Sequence, residues 1–183
     1  MLQITYRLEG RRLTLDAEIT NPTAHPLPVG FGIHPYFRLP FDPRGDKTKT
    51  QVILPASEFW VLEEFLPTGE RRPVDARLDF RAGQPIAGLK LDDVLTGLKF
   101  EGQRCVCRLV DENLNGEFRL SFGEGFRELV AYTPPGDGRV ISLEPYTQTT
   151  DAINLQARNI DGGLRVLQHD QTLSLSIAME TLG

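Results

Sequence analysis

The sequence predicts an all-β protein built as an antiparallel β-sandwich, and three observations carry that expectation. Apolar residues recur with a period of two: Leu13, Leu15, Ala17 and Ile19 alternate with Thr14, Asp16, Glu18 and Thr20, and Leu173, Leu175, Ile177 and Met179 repeat the pattern near the C-terminus. The chain is cut into short runs by turn formers, with 17 Gly and 13 Pro. No stretch carries a helical apolar stripe long enough to pack as a helix. Short alternating strands separated by turns favour two packed antiparallel sheets.

Taken in order, Leu2, Ile4 and Tyr6 alternate with Gln3, Thr5 and Arg7, and Glu9-Gly10 turns the chain into the Leu13 to Ile19 strand, so the chain opens with a hairpin. Further strands are expected over Val29 to Ile33, Gln51 to Leu54, Phe59 to Leu62, Gln103 to Val110, Gly116 to Phe122, Arg127 to Tyr132 and Val140 to Leu143. Turn clusters fall at Asn21-Pro22, Pro26 to Pro28, Asp42 to Gly45, Pro67 to Gly69, Asn113 to Gly116 and Pro134 to Gly138, and the polar run Asp42 to Thr50 reads as an exposed loop. Cys105 and Cys107 share one strand and one face. Neighbours on one face of a strand are too far apart for a disulfide and lack metal-pair spacing, so both read as packing thiols.

No repeat, low-complexity tract or linker divides the chain, and 183 residues suit one domain spanning 1–183. Twenty Lys and Arg against 25 Asp and Glu give a net charge of -5, which disfavours nucleic acid and anionic membranes as partners. No apolar run approaches the roughly 20 residues of a membrane span, and the start lacks the layout of a signal peptide, so a cytoplasmic protein is expected.

Three segments depart from the strand pattern. In GFGIHPYF, His34 precedes Pro35, which forces extended backbone at the histidine and ends the strand there. The residue reads either as a turn or core histidine or as a proton donor or acceptor working near neutral pH. In ISLEPYTQTTDAINL, Glu144 lies on the face opposite Ile141 and Leu143, and Pro145 stops the pairing directly after it. That carboxylate either faces solvent or faces a cleft. In KLDDVLTGL the pair Asp92-Asp93 is either a turn or a hydroxyl-binding site.

In that order, GFGIHPYF, LPTGERRPV (66 to 74), LDDVLTGL and SLEPYTQTTDAINL resemble the aldose 1-epimerase, or galactose mutarotase-like, family over nearly the whole chain. HPYF and the EPxTxxxDAxN pattern are the specific parts. The resemblance implies a large antiparallel sandwich that interconverts the α and β anomers of a hexose without metal or other cofactor. It implies a general acid at His34, a general base at Glu144 and a hydroxyl-binding carboxylate at Asp92, with Asp93 beside it as the alternative. Phe31, Tyr36 and Phe37 read either as the cleft wall or as core.

The resemblance begins about midway through the family pattern, so the N-terminal part of the sandwich, with a further active-site histidine and a substrate-contacting arginine, has no aligned position. His25 and His169 read as turn residues and not as replacements. A fragment, a shortened family member and a late-assigned start are the three explanations. Sheet edges left open by the missing part would invite a second copy, hence an expected homodimer. The lone chain is expected to be weak or inactive, with activity restored by adding the upstream segment if the gene carries one. Two other readings are a non-catalytic carbohydrate-binding or regulatory module, and a hexose-6-phosphate 1-epimerase whose only adjacent basic pair near a motif is Arg71-Arg72.

Overall fold

The computed structural model describes residues 1–41, 45–111, 116–136 and 139–183. The parts of the expected turns at 42–44, 113–115 and 137–138 lie outside the described residues. In chain order the strands are β1 (Leu2–Glu9), β2 (Arg12–Thr20), β3 (Leu27–Val29), β4 (Tyr36–Arg38), β5 (Thr50–Ile53), β6 (Ala56–Glu63), β7 (Leu66–Pro73) and β8 (Gln84–Pro85). They continue as β9 (Asp92–Leu98), β10 (Arg104–Asp111), β11 (Gly116–Gly123), β12 (Glu128–Tyr132) and β13 (Val140–Tyr146). A short helix, α1 (Ala152–Ala157), precedes β14 (Arg165–Leu167) and β15 (Thr172–Leu182).

The strands form a seven-stranded sheet in the order β1-β2-β15-β11-β10-β5-β8 and a six-stranded sheet in the order β4-β13-β12-β9-β6-β7, with β14-β3 as a small separate pair. All pairings are antiparallel. The period-two alternation is what makes this a sandwich. On the seven-stranded sheet Leu15, Ala17, Cys105, Cys107, Leu120 and Ile177 turn inward, and they meet Leu95, Leu129, Ala131, Ile141 and Leu143 of the other sheet in one buried core. The two cysteines are free and fully buried, as packing thiols should be. The neighbouring Cys105 thiol and burial push the Cys107 thiol well above its ordinary pKa.

Several local expectations are corrected. The strand expected over Val29 to Ile33 ends at Val29 and begins at Leu27, inside what reads as a proline turn. Pro67 to Gly69 is not a turn but the start of β7, because the hairpin reverses two residues earlier, at Glu64 and Phe65. Asp92 and Asp93 open strand β9 instead of forming a turn. Part of the run read as an exposed loop is ordered: Lys47–Lys49 forms a single 3-10 turn and Thr50, buried, starts β5. Helix α1 is absent from the sequence reading because it is only six residues long and buries only Ala152 and Leu155.

Pro145 does not stop strand β13. Leu129 and Glu128 of β12 pair with Pro145 and Tyr146. On the other flank β4 pairs only Val140 to Ser142. Leu39 N–H donates to Arg139 O, so odd-numbered positions of β13 turn their backbone toward β4. The N–H that Pro145 lacks would point to that flank, in the gap between the last β4 pair at Ser142 and the isolated bridge of Gly32 to Tyr146.

Candidate active site

The outer face of the six-stranded sheet carries the site, and β13 organises it. Ile141 and Leu143 enter the core, so Ser142, Glu144 and Tyr146 share the outer face. One row of cross-strand partners runs Tyr36, Ser142, Tyr132, Asp92 across β4, β13, β12 and β9. The next row runs Glu144, Val130, Val94. His34 reaches this face from the segment before β4.

The two motifs that flank the site are zipped together through the backbone. Phe31 N–H donates to Thr147 Oγ1 at 2.9 Å, and Thr147 N–H donates to Phe31 O at 2.9 Å. Gly32 bridges Tyr146, and a Cβ on Gly32 would stand 2.3 Å from the Tyr146 ring, so only glycine admits that ring. Thus GFGIHPYF and the EPYT segment are docked against each other, which brings His34 to Glu144.

His34 Nε2 stands 3.1 Å from Glu144 Oε1; the imidazole is 48% exposed and the carboxylate 2% exposed. The contact is too poorly aligned for a hydrogen bond, and Glu144 Oε1 has no hydrogen-bond partner among the described residues. The other carboxylate oxygen accepts from Tyr146 Oη at 2.7 Å. Burial, together with the Glu144 carboxylate, pushes the Tyr146 phenol well above its ordinary pKa, so it remains a donor.

The opposite side of the imidazole is also fixed. Ser142 Oγ donates its single proton to Pro35 O at 2.8 Å and stands 3.0 Å from His34 Nδ1. With its proton committed, Ser142 can only accept from Nδ1, so the proton sits on Nδ1. Nε2 is then the nitrogen turned toward the Glu144 carboxylate. Tyr36 stacks on the imidazole with ring centres 4.9 Å apart, and Tyr132 presents its edge at 6.3 Å.

His34, Glu144 and Asp92 line one cleft of about 390 Å³. That volume falls at the lower end of small-molecule sites, about 300–1,000 Å³. The two aspartates differ in their surroundings: Arg77 grips Asp93 with two hydrogen bonds of 2.7 and 2.8 Å, whereas Asp92 has no side-chain partner among the described residues and faces the cleft. Of the three aromatic candidates only Tyr36 lines this cleft; Phe31 and Phe37 pack against the core. His25 and His169 lie in turns outside it, with Asn21 Nδ2 donating to His25 O and His169 Nδ1 3.0 Å from Thr23 O.

Sequence reading missed Ser142, Tyr146, Tyr132 and Phe65. The first two carried a usable signal, since they stand two residues either side of Glu144 and share its face of the strand.

An antiparallel sandwich that sets a histidine against a buried glutamate on the outer face of one sheet defines the class. The family model for aldose 1-epimerase matches residues 1–180, and the chain belongs to that family. Among solved structures it is similar to a galactose mutarotase-like protein from Clostridium acetobutylicum, at 18% identity and a TM-score of 0.88 over 98% of this chain. It is similar too to the GalM/aldose epimerase homologue from C. elegans (20% identity, TM-score 0.75, 98% of this chain) and a galactose mutarotase-like protein from Lactobacillus casei (16%, 0.75, 99%). The chain spans 55%, 58% and 63% of those three chains, respectively.

Proposed function

We propose that this chain is an aldose 1-epimerase that interconverts the anomers of a neutral hexose by general acid-base ring opening. The observation that carries the reading is the contact of His34 Nε2 with the buried Glu144 Oε1 at 3.1 Å, with the Nδ1 proton already committed to Ser142. Glu144 Oε1 takes the proton of the C1 hydroxyl while His34 Nε2 gives its proton to the ring oxygen. The bond from C1 to the ring oxygen breaks and an aldehyde forms. After rotation about the bond between C1 and C2, His34 takes the C5 hydroxyl proton, Glu144 returns its proton to the carbonyl oxygen, and the ring closes with both groups restored.

His34 Nε2 and Glu144 Oε1 stand side by side, and adjacency suits the proposed reaction, because the C1 hydroxyl and the ring oxygen are bonded to the same carbon. Each positioned proton transfer contributes typically about 10²–10⁴ in rate. Asp92 is left free to accept from a hydroxyl remote from C1.

A neutral sugar is favoured over a hexose 6-phosphate by where the basic pair goes. Arg71 lies 5.2 Å over the Trp60 ring, Arg72 is held by Glu70 at 2.7 and 3.2 Å, and neither lines the cleft. A non-catalytic sugar-binding module is the second reading, favoured by the share of its relatives that the chain spans. Optical rotation of freshly dissolved α-D-glucose and α-D-galactose separates the two. Decay faster than the buffer rate, in proportion to protein, supports the enzyme; sugar binding with no acceleration supports the module.

A further inference from the structure

The hairpin between β6 and β7 carries a conflict between sequence and conformation. Glu63 pairs with Leu66, so Glu64 and Phe65 form a two-residue turn. Both have positive φ, 48° and 66°. Such turns are the preserve of Asn, Asp and Gly, and a bulky aromatic residue with φ in this region is an outlier. The Phe65 ring gains no burial in exchange, being 75% exposed. A residue that breaks the local rule with no compensating packing points to a role outside folding.

The cleft supplies that role. Phe65 lines it together with His34, Glu144 and Asp92. The sheet order sets β4 and β13, with the acid-base pair, toward one end and β6, with its hairpin, toward the other, so Phe65 and Leu62 form the wall remote from His34. That wall offers no hydrogen-bonding side chain. A pyranose presents hydroxyls at its rim and C–H groups on its faces. The rim can be met by Asp92 and the acid-base pair, and the C–H face requires an apolar surface.

Resting on the epimerase reading, we infer that Phe65 is the aromatic platform against which the C–H face of the bound pyranose rests, a substrate-binding residue displayed by a strained hairpin turn. The turn holds the ring out into the cleft in advance, so little side-chain freedom is lost on binding.

The test uses methyl β-D-galactopyranoside, which has a C–H patch on one face and cannot open its ring, so binding is read apart from chemistry. Its Kd is measured by NMR titration for the wild type, Phe65→Gly and Phe65→Tyr. Glycine accepts φ of 66° freely, so Phe65→Gly should melt no lower than the wild type. Its Kd should rise about tenfold, equivalent to 1.4 kcal/mol. Phe65→Tyr should bind within about twofold of the wild type, tenfold being the loss expected for removing the ring. For a reducing hexose the loss should fall mainly in KM. A folded Phe65→Gly that binds as tightly as the wild type overturns the inference and leaves the epimerase reading intact; so does a folded Phe65→Tyr that binds as weakly as Phe65→Gly. Weakened binding in a chain that never accelerates mutarotation supports the platform and sinks the epimerase reading. Failure of the wild type to bind the glycoside at all overturns the platform.

Discussion

Ser142 Oγ bridges Pro35 O and His34 Nδ1, at 2.8 and 3.0 Å, and so fixes on which nitrogen the candidate acid holds its exchangeable proton. The serine sits one strand step from Glu144, on the same face, so one strand sets both partners of the pair. Removing its oxygen leaves Nδ1 free to turn away or to lose its proton to water. We expect Ser142→Ala to lower kcat about tenfold, the lower end of what orienting a proton-transfer group is worth, with KM little changed. Ser142→Thr should recover most of the rate. Equal losses in both variants, measured by polarimetry, would count against the assignment.

Gly32 is the position where the two motifs touch most closely. A Cβ there meets the Tyr146 ring at 2.3 Å, with no flexible tip to yield. Gly32→Ala should destabilise the chain by about 1–3 kcal/mol, the ordinary cost of overpacking, and displace the tyrosine that donates to Glu144. A thermal melt that does not move would show that the segment has room to shift.

Glu128 gives the fold a pH dependence. It is buried beside Trp60, whose Nε1 donates to its Oε2 at 3.0 Å, and burial pushes its carboxyl from 4.5 up to about 7. A carboxyl raised in the folded state keeps its proton there after the unfolded chain has released it. The contribution to stability is therefore complete below pH 4.5 and is lost as pH rises toward 7, with a slope of at most about 1.4 kcal/mol per pH unit. Glu128→Gln should flatten that slope and raise the melting temperature at pH 8 relative to the wild type. Trp60 is the only tryptophan, so its fluorescence reads the titration directly. An unchanged difference between pH 5 and pH 8 would remove Glu128 as the cause.

Strand β1 is exposed along its whole length on the outer edge of the seven-stranded sheet, with Leu2, Ile4, Tyr6 and Leu8 on one face. An edge strand with open backbone groups and an apolar face takes up another strand. We expect the chain to be a dimer at micromolar concentration by sedimentation equilibrium, through antiparallel pairing of two β1 strands. Tyr6→Lys with Leu8→Lys should shift it to monomer. A monomeric wild type would contradict the pairing.

Much of this was legible in the residues themselves. The alternation at Leu13 to Ile19 and Leu173 to Met179 foretold β2 and β15, because a half-buried strand writes its burial into every second residue. The shared parity of Ile141 and Leu143 likewise put Glu144 on the outer face. It did not foretell that Glu144 would be 2% exposed, since that burial comes from Tyr146, His34 and neighbouring strands distant in sequence. Pro145 misled because the penalty of a proline depends on which flank is paired, and that is a property of the sheet. The choice between Asp92 and Asp93 rested on Arg77, whose position against β9 no local pattern announces. Phe65 was invisible because glutamate and phenylalanine are the opposite of what a two-residue hairpin turn selects.

The central claim is that Glu144 and His34 form one acid-base pair, and the most direct measurement is the mutarotation rate of Glu144→Gln beside the wild type at equal concentration. The amide keeps the side-chain shape and can still accept from Tyr146, but it cannot take the C1 hydroxyl proton at neutral pH. The expected result is acceleration by the wild type and a fall of at least about a hundredfold in the variant, the contribution of one general base. A folded Glu144→Gln that works within a factor of two of an active wild type would contradict it.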